Sequence, residues 1–170
     1  MKADHIAYFG GGCFWGLEAV FKNIKGIETV VSGFSGGIVP GTPTYKEVSS
    51  GKTGHAELVK ISFDAELISY DSLLLIFFRS HDATIPQPDK FGYGNQYRSV
   101  VFYENDWQKQ TIKNIIKELS SVYDKPITTE VSAFEKFFKA EEYHQNYYSK
   151  NKNESYCTTM IAPKLERLQT

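Results

Sequence analysis

The chain of 170 residues contains only two cysteines, Cys13 and Cys157, set far apart. So few thiols exclude a disulfide-stapled scaffold, and in a reducing compartment they point to chemistry or to nothing. Charge of one sign is also missing: 19 basic residues against 20 acidic ones give a net charge of −1. That balance argues against nucleic acid or an anionic membrane surface as the main partner. No apolar run is long enough to span a bilayer, and no secretory h-region or lipidation motif is found. A cytoplasmic protein is the expectation. Repeats, linkers and low-complexity segments are absent as well, so residues 1–170 are expected to form a single domain.

What the chain does have is apolar material. A hydrophobic content of 41% and an aromatic content of 15% suffice for a sizeable core. Residues 5–9 read as a short buried strand. Phe14, Leu17, Phe21 and Ile24 fall three and four apart, the stripe of an amphipathic helix that Gly26 closes. Residues 27–34 make a second strand. In "HAELVKISFD", Glu57, Val59, Ile61 and Phe63 share one face and Lys60 and Ser62 the other, which predicts a third strand. A helix over 71–80 follows, with Asp71 placed to cap it. The strand "RSVVFY", a helix over about 105–122 and the strand "ITTEV" come next. "KAEEYHQNYYSKN" reads as a final helix, and the tail from Asn151 as irregular. The fold class is thus α+β, a two-layer sandwich with a ferredoxin-like β-α-β-β-α-β core, a C-terminal helix and an irregular tail. Two loops, Ser35 to Gly54 and Asp82 to Gln96, are longer than compact domains normally hold without a function.

Cys13 sits in "FGGGCFWG", between a glycine run and two aromatics. A small buried residue at a strand-to-helix corner is one reading, since free cysteine is among the most buried residue types. Phosphate binding is another, but the spacing is not G-x-G-x-x-G and no G-K-[ST] follows. The third is a reactive thiolate. A helix N-terminus lowers a thiol's pKa, bare glycines admit a substrate, and Phe14 and Trp15 offer an apolar wall. Glu57 favours this third reading. On the buried face of its strand it is costly to ionise, so its pKa should rise, which suits a general acid. A metal or redox-sensing module would need the histidines His5, His55, His81 and His144 at ligand spacing, and no two are. No metal and no cofactor is expected.

Four segments, "FGGGCFWGLEAVF", "TYKEVSSGKTGHAELVKISFD", "GNQYRSVVFY" and "EEYHQNYY", resemble the A-type peptide methionine sulfoxide reductases in order and spacing. The resemblance runs from about Phe9 to Tyr148. It implies one catalytic domain that reduces methionine S-sulfoxide, free or in proteins, with thioredoxin as the regenerating partner. It makes Cys13 the nucleophile, Glu57 the proton donor to the sulfoxide oxygen, and Tyr45 and Tyr97 hydrogen-bond donors to that oxygen. Phe14 and Trp15 would hold the substrate's methyl group. The segment "SYCTTMIAPKLERL" resembles one of the family's C-terminal versions, which implies that Cys157, on a mobile tail over 151–170, resolves the intermediate. A monomer is expected. One position departs: the family commonly has an Asp five residues before the second tyrosine, and here that position is Gly92, with Asp89 nearby. The competing enzyme reading, a cysteine-based thiol peroxidase, would need a cation beside the cysteine, and none is local in sequence.

Overall fold

The computed structural model describes residues 5–38, 41–89, 92 and 94–169. Six strands form one sheet: β1 (His5–Gly10), β2 (Ile27–Ser35), β3 (Ala56–Phe63), β4 (Val100–Tyr103), β5 (Glu130–Ala133) and β6 (Phe137–Lys139), in the order β5-β4-β1-β3-β2-β6. The β4–β5 pair is parallel and the other pairs are antiparallel. The helices are α1 (Phe14–Lys22), α2 (Tyr45–Ser49), α3 (Tyr70–Arg79), α4 (Asp106–Ser120), α5 (Tyr147–Lys150) and α6 (Ala162–Gln169).

Strand alternation sorts side chains to the two sheet faces. Ala7, Phe9, Val59, Ile61, Phe63 and Val101 meet the buried stripes of α1, α3 and α4 in the main core. There the Phe9 ring packs on Phe77 at 4.9 Å and on Phe21 at 5.7 Å. Tyr8, Ala56, Leu58, Val100 and Phe102 point the other way, under Phe134 and Phe137. The α+β class is thereby established, and Glu57 falls in register on the helical face, opposite Phe34.

Several elements differ from expectation, each for a local reason. The α3 helix is capped by Ser69, whose hydroxyl accepts from the Ser72 amide at 3.0 Å; Asp71 lies inside the first turn. The long loop after β2 contains α2, closed by a reciprocal capping box between Thr44 and Glu47. "ITTEV" is strand only from Glu130, and β6, three residues long, gave no periodic signal. The expected final helix is broken into a 3-10 turn at Glu142–His144 and the one-turn α5, separated by Asn146 in the left-handed region at φ 57°. The segment expected to be irregular is helical: a π-helical turn at Cys157–Ile161 runs into α6. Its residues Cys157, Ile161 and Leu165 pack with Ala19 and Trp15 of α1, which the C-terminal pattern alone did not reveal.

Candidate active site

The site begins where β1 turns into α1. A side chain on Gly10 would collide with the Glu57 carbonyl at 2.8 Å and with Val100 at 2.9 Å, so the strand ends on a residue without one. Gly12 turns the chain at φ 77°, and its amide donates to the Tyr97 carbonyl at 3.0 Å. Cys13 then occupies the cap position of α1 and gives the helix no side-chain cap. The first free amide of the helix, Phe14 N–H, donates instead to Glu57 Oε1 at 3.1 Å. A carboxyl from the middle of the sheet thus caps the helix that carries the thiol.

Glu57 has no exposed surface, and its Oε2 has no hydrogen-bond partner of good geometry among the described residues. Burial dominates its acidity. It pushes the carboxyl up to about 8, against the smaller pull of the Phe14 amide and the Cys13 thiol. The side chain is therefore largely protonated near neutral pH. Cys13 is corrected in the other direction. The helix terminus was expected to lower its pKa, but burial, and after it the Glu57 carboxylate, hold the thiol well above a free cysteine. Desolvation outweighs the macrodipole here because the sulfur is enclosed.

Tyr45 starts α2 and Tyr97 ends the 3-10 turn Asn95–Tyr97. Their side chains hydrogen-bond each other, and burial first, then Glu57, raises both phenols, so both keep their protons. Asn95 and Arg98 fix the loop that delivers Tyr97. The buried Asn95 amide donates to the Gly51 carbonyl at 3.0 Å, and Arg98 donates to the Asn95 and Gly54 carbonyls and pairs with Glu130 at 3.0 Å. Tyr93 lies outside the described residues.

Trp15 is half-buried. It stacks on Tyr147 at 3.6 Å between ring centroids and donates from Nε1 to His144 Nδ1 at 3.0 Å. Phe14 is wholly buried behind it, against Phe34, Tyr45 and His144. Cys157 is also without exposed surface, and neither cysteine is in a disulfide. The residue before Cys157 reaches the site: the Tyr156 hydroxyl hydrogen-bonds the Cys13 sulfur.

Reading the sequence missed Tyr156, His144 as the partner of Trp15, and two buried polar anchors. Gln145 donates to the carbonyls of Ser32 and Ala140 and accepts from the Ser32 amide, sealing β2 where β6 ends. Glu18 Oε2 accepts from the Asn146 amide at 2.9 Å. The cluster "EEYHQNYY" was the available signal, since so many polar and aromatic residues at one break cannot all face solvent.

A half-buried thiol beside a protonated carboxyl and two phenolic donors, on a single α+β sheet, marks a cysteine-based oxidoreductase. The family model for peptide methionine sulfoxide reductase matches residues 5–170. The chain is 46% identical to the peptide methionine sulfoxide reductase MsrA of Sulfolobus acidocaldarius, with 95% of this chain and 92% of that protein covered. It is 47% identical to MsrA of Acinetobacter baumannii, covering 96% and 94%. Among solved structures, Mxr1 of Saccharomyces cerevisiae in reduced form superimposes with a TM-score of 0.82 at 30% identity, covering 90% of this chain and 88% of that one. The chain belongs to the peptide methionine sulfoxide reductase family.

Proposed function

We propose that this chain reduces the S epimer of methionine sulfoxide, free or in proteins, by thiol chemistry centred on Cys13. The observation that carries the assignment of roles is the Glu57 carboxyl, buried and protonated, with Oε2 unpartnered beside the Cys13 thiol. A sulfoxide oxygen leaves poorly unless it is protonated. Glu57 gives it a proton, and Tyr45 and Tyr97 donate hydrogen bonds to it. The Cys13 thiolate attacks the sulfoxide sulfur and forms a sulfur–sulfur bond, while the protonated oxygen leaves as water with the proton that the thiol released. Water then adds to the Cys13 sulfur and breaks the sulfur–sulfur bond, so methionine departs as the thioether and Cys13 is left as a sulfenic acid. Trp15 faces the methyl group, with Phe14 behind it.

Cys157 then condenses with the sulfenic acid, forming a disulfide and releasing water, and a dithiol of the thioredoxin type reduces that disulfide by exchange. The attachment of Cys157 to Tyr156, which contacts Cys13, supports this pairing. Cys157 is buried in its π-helical turn and is not bonded to Cys13, so this segment must rearrange for the disulfide to form. The inner strand order β4-β1-β3-β2, antiparallel throughout, supports a ferredoxin-like core within one catalytic domain. Among the described residues no helix is long and apolar enough to cross a membrane. A cytoplasmic monomer is the form we propose.

The test is reduction of racemic methionine sulfoxide under dithiothreitol. Consumption should stop near half, because each epimer is served by its own enzyme type. Cys13→Ser should abolish it. Cys157→Ser should complete one turnover and leave a sulfenic acid that dimedone traps, while losing most thioredoxin-driven cycling. Equal consumption of both epimers, or full cycling without Cys157, would overturn the respective assignment.

A further inference from the structure

The C-terminal helix brings a cation to the thiol. Gly16 lies one turn into α1, its amide donating to the Cys13 carbonyl at 3.1 Å. Because Gly16 has no side chain, the Lys164 ammonium approaches that turn closely. A methyl group on Gly16 would stand 3.4 Å from Lys164 Nζ and 3.9 Å from Ile161 Cγ1. Lys164 is half-buried and has no ion pair among the described residues. Its position is electrostatically unfavourable by itself. An ammonium at the N-terminal end of α1 meets the positive end of its macrodipole, and Arg167 adds like charge from α6. Burial and Arg167 accordingly lower the Lys164 pKa, and of the groups that act on it Cys13 is the one that favours its charged form.

The other titratable groups around Cys13 do not supply a cation. Glu57 faces it from β3, Tyr45 from α2, Tyr97 from the 3-10 turn, Tyr147 from α5, and Tyr156 and Lys164 from the C-terminal segment. His81 also feels Lys164, but its ring is neutral at working pH, held near 4 by burial, with Nε2 on the Ser99 hydroxyl at 2.7 Å. With Glu57 protonated, the thiolate and the Lys164 ammonium are the two opposite charges at this end of α1.

We propose that Lys164 is a positioning residue for the reaction: while α6 is docked its ammonium favours the Cys13 thiolate, which burial disfavours, at the moment the sulfur attacks, so the C-terminal helix completes the active site. The inference rests on Cys13 being the nucleophile. It also supplies the cation that the sequence neighbourhood of Cys13 lacks, since the charge arrives from 151 residues further along. Undocking of the segment to release Cys157 for the disulfide removes that charge at the step when Cys13 no longer needs it.

The test reads Cys13 directly, without turnover. The reduced full-length protein is alkylated with iodoacetamide across a pH series, and the Cys13 peptide is quantified by mass spectrometry. Lys164→Met should slow alkylation of Cys13 about tenfold at each pH of the series, the equivalent of one pH unit and the lower end of what an adjacent opposite charge contributes. Lys164→Arg should stay within twofold of the wild type, and a thermal melt of each variant confirms that it is folded. An unchanged alkylation rate in a folded Lys164→Met protein overturns the proposal, as does an Arg variant that behaves like the Met variant, which would mean that shape and not charge matters. Retention of reductase activity by Cys13→Ser would instead sink the nucleophile assignment, so the two failures are distinguishable.

Discussion

Two carboxyl groups are buried against the same helix, and they have different surroundings. Glu57 comes from β3 and caps α1 at the end that carries Cys13; Glu18 belongs to α1 itself and grips the turn at Asn146. Both are at most 2% exposed, both accept from backbone N–H, both leave one oxygen unpaired, and burial raises the pKa of both. Glu18 has Lys22 and Lys150 to favour its ionised form, whereas Glu57 has a thiol and no cation. Burial alone therefore does not make an acid catalyst. On the proposed mechanism a proton held next to Cys13 does, and an equally buried carboxyl elsewhere serves as an anchor.

The comparison breaks most sharply on substitution. Glu57→Gln should lower kcat under dithiothreitol by about 10²-fold, the usual contribution of a general acid. Glu18→Gln, which keeps a carbonyl oxygen for the Asn146 amide, should change kcat less than threefold. Similar losses in the two variants would mean that burial in α1's surroundings, not proximity to Cys13, sets the rate.

The pH dependence sharpens the same contrast. Because a thiolate must form while Glu57 keeps its proton, turnover should rise toward about pH 8 and level off above it, where Glu57 ionises, whereas Glu57→Gln should go on rising as the thiol ionises. Stability follows with a defined sign. The folded Glu57 pKa of about 8 lies above its ordinary value of 4.5, so the folded state binds more protons between the two. Stability is full below the lower value and declines until the upper one is passed, by a few kcal/mol at most (order of magnitude from linkage). Denaturant midpoints at pH 5 and pH 8 for wild type and Glu57→Gln would show it, with the Gln variant nearly flat.

The anchor has its own signature. Asn146 is held at positive φ so that its amide meets Glu18. Asn146→Gly should be close to neutral, while Asn146→Ala should cost about 1 kcal/mol of unfolding free energy through left-handed backbone strain. Neither should move the pH–rate profile. A shifted profile in the Ala variant would couple the anchor to the site through Trp15 and Tyr147.

Strand alternation was enough to put Glu57 on the buried face and to foresee its raised pKa, because period-2 geometry is local. The stripe of Phe14, Leu17 and Phe21 gave α1 for the same reason, and the motif resemblance brought Tyr45 and Tyr97 to one place. What could not be read was set by contacts distant in sequence. The raised thiol of Cys13 comes from enclosure by α2, the Asn95–Tyr97 turn and the C-terminal segment, none of which its neighbours in sequence encode. The helical order of residues 157–169 comes from packing on Ala19 and Trp15, and β6 is too short to show any period.

A third acid completes the comparison from the exposed side, with the smallest expected effect. Asp89 is the acid closest in sequence to Gly92, where the family's usual aspartate is missing. Its side chain is exposed, and its tie to Gly92 is made by its backbone carbonyl, which accepts the Gly92 amide at 2.9 Å. Tyr97 is delivered instead by Asn95 and Arg98, both buried and both bonded to carbonyls of the loop before β3. Exposed and without a side-chain bond among the described residues, Asp89 has nothing to position. Asp89→Asn should therefore change kcat/KM less than threefold, under about 0.7 kcal/mol of transition-state stabilisation. Asn95→Ala, which removes the amide that holds the loop to Gly51, should cost more, roughly tenfold, through a misplaced Tyr97. Steady-state kinetics of the two variants side by side decide it: a hundredfold loss in Asp89→Asn would mean that an exposed carboxylate does here what the missing aspartate does elsewhere in the family.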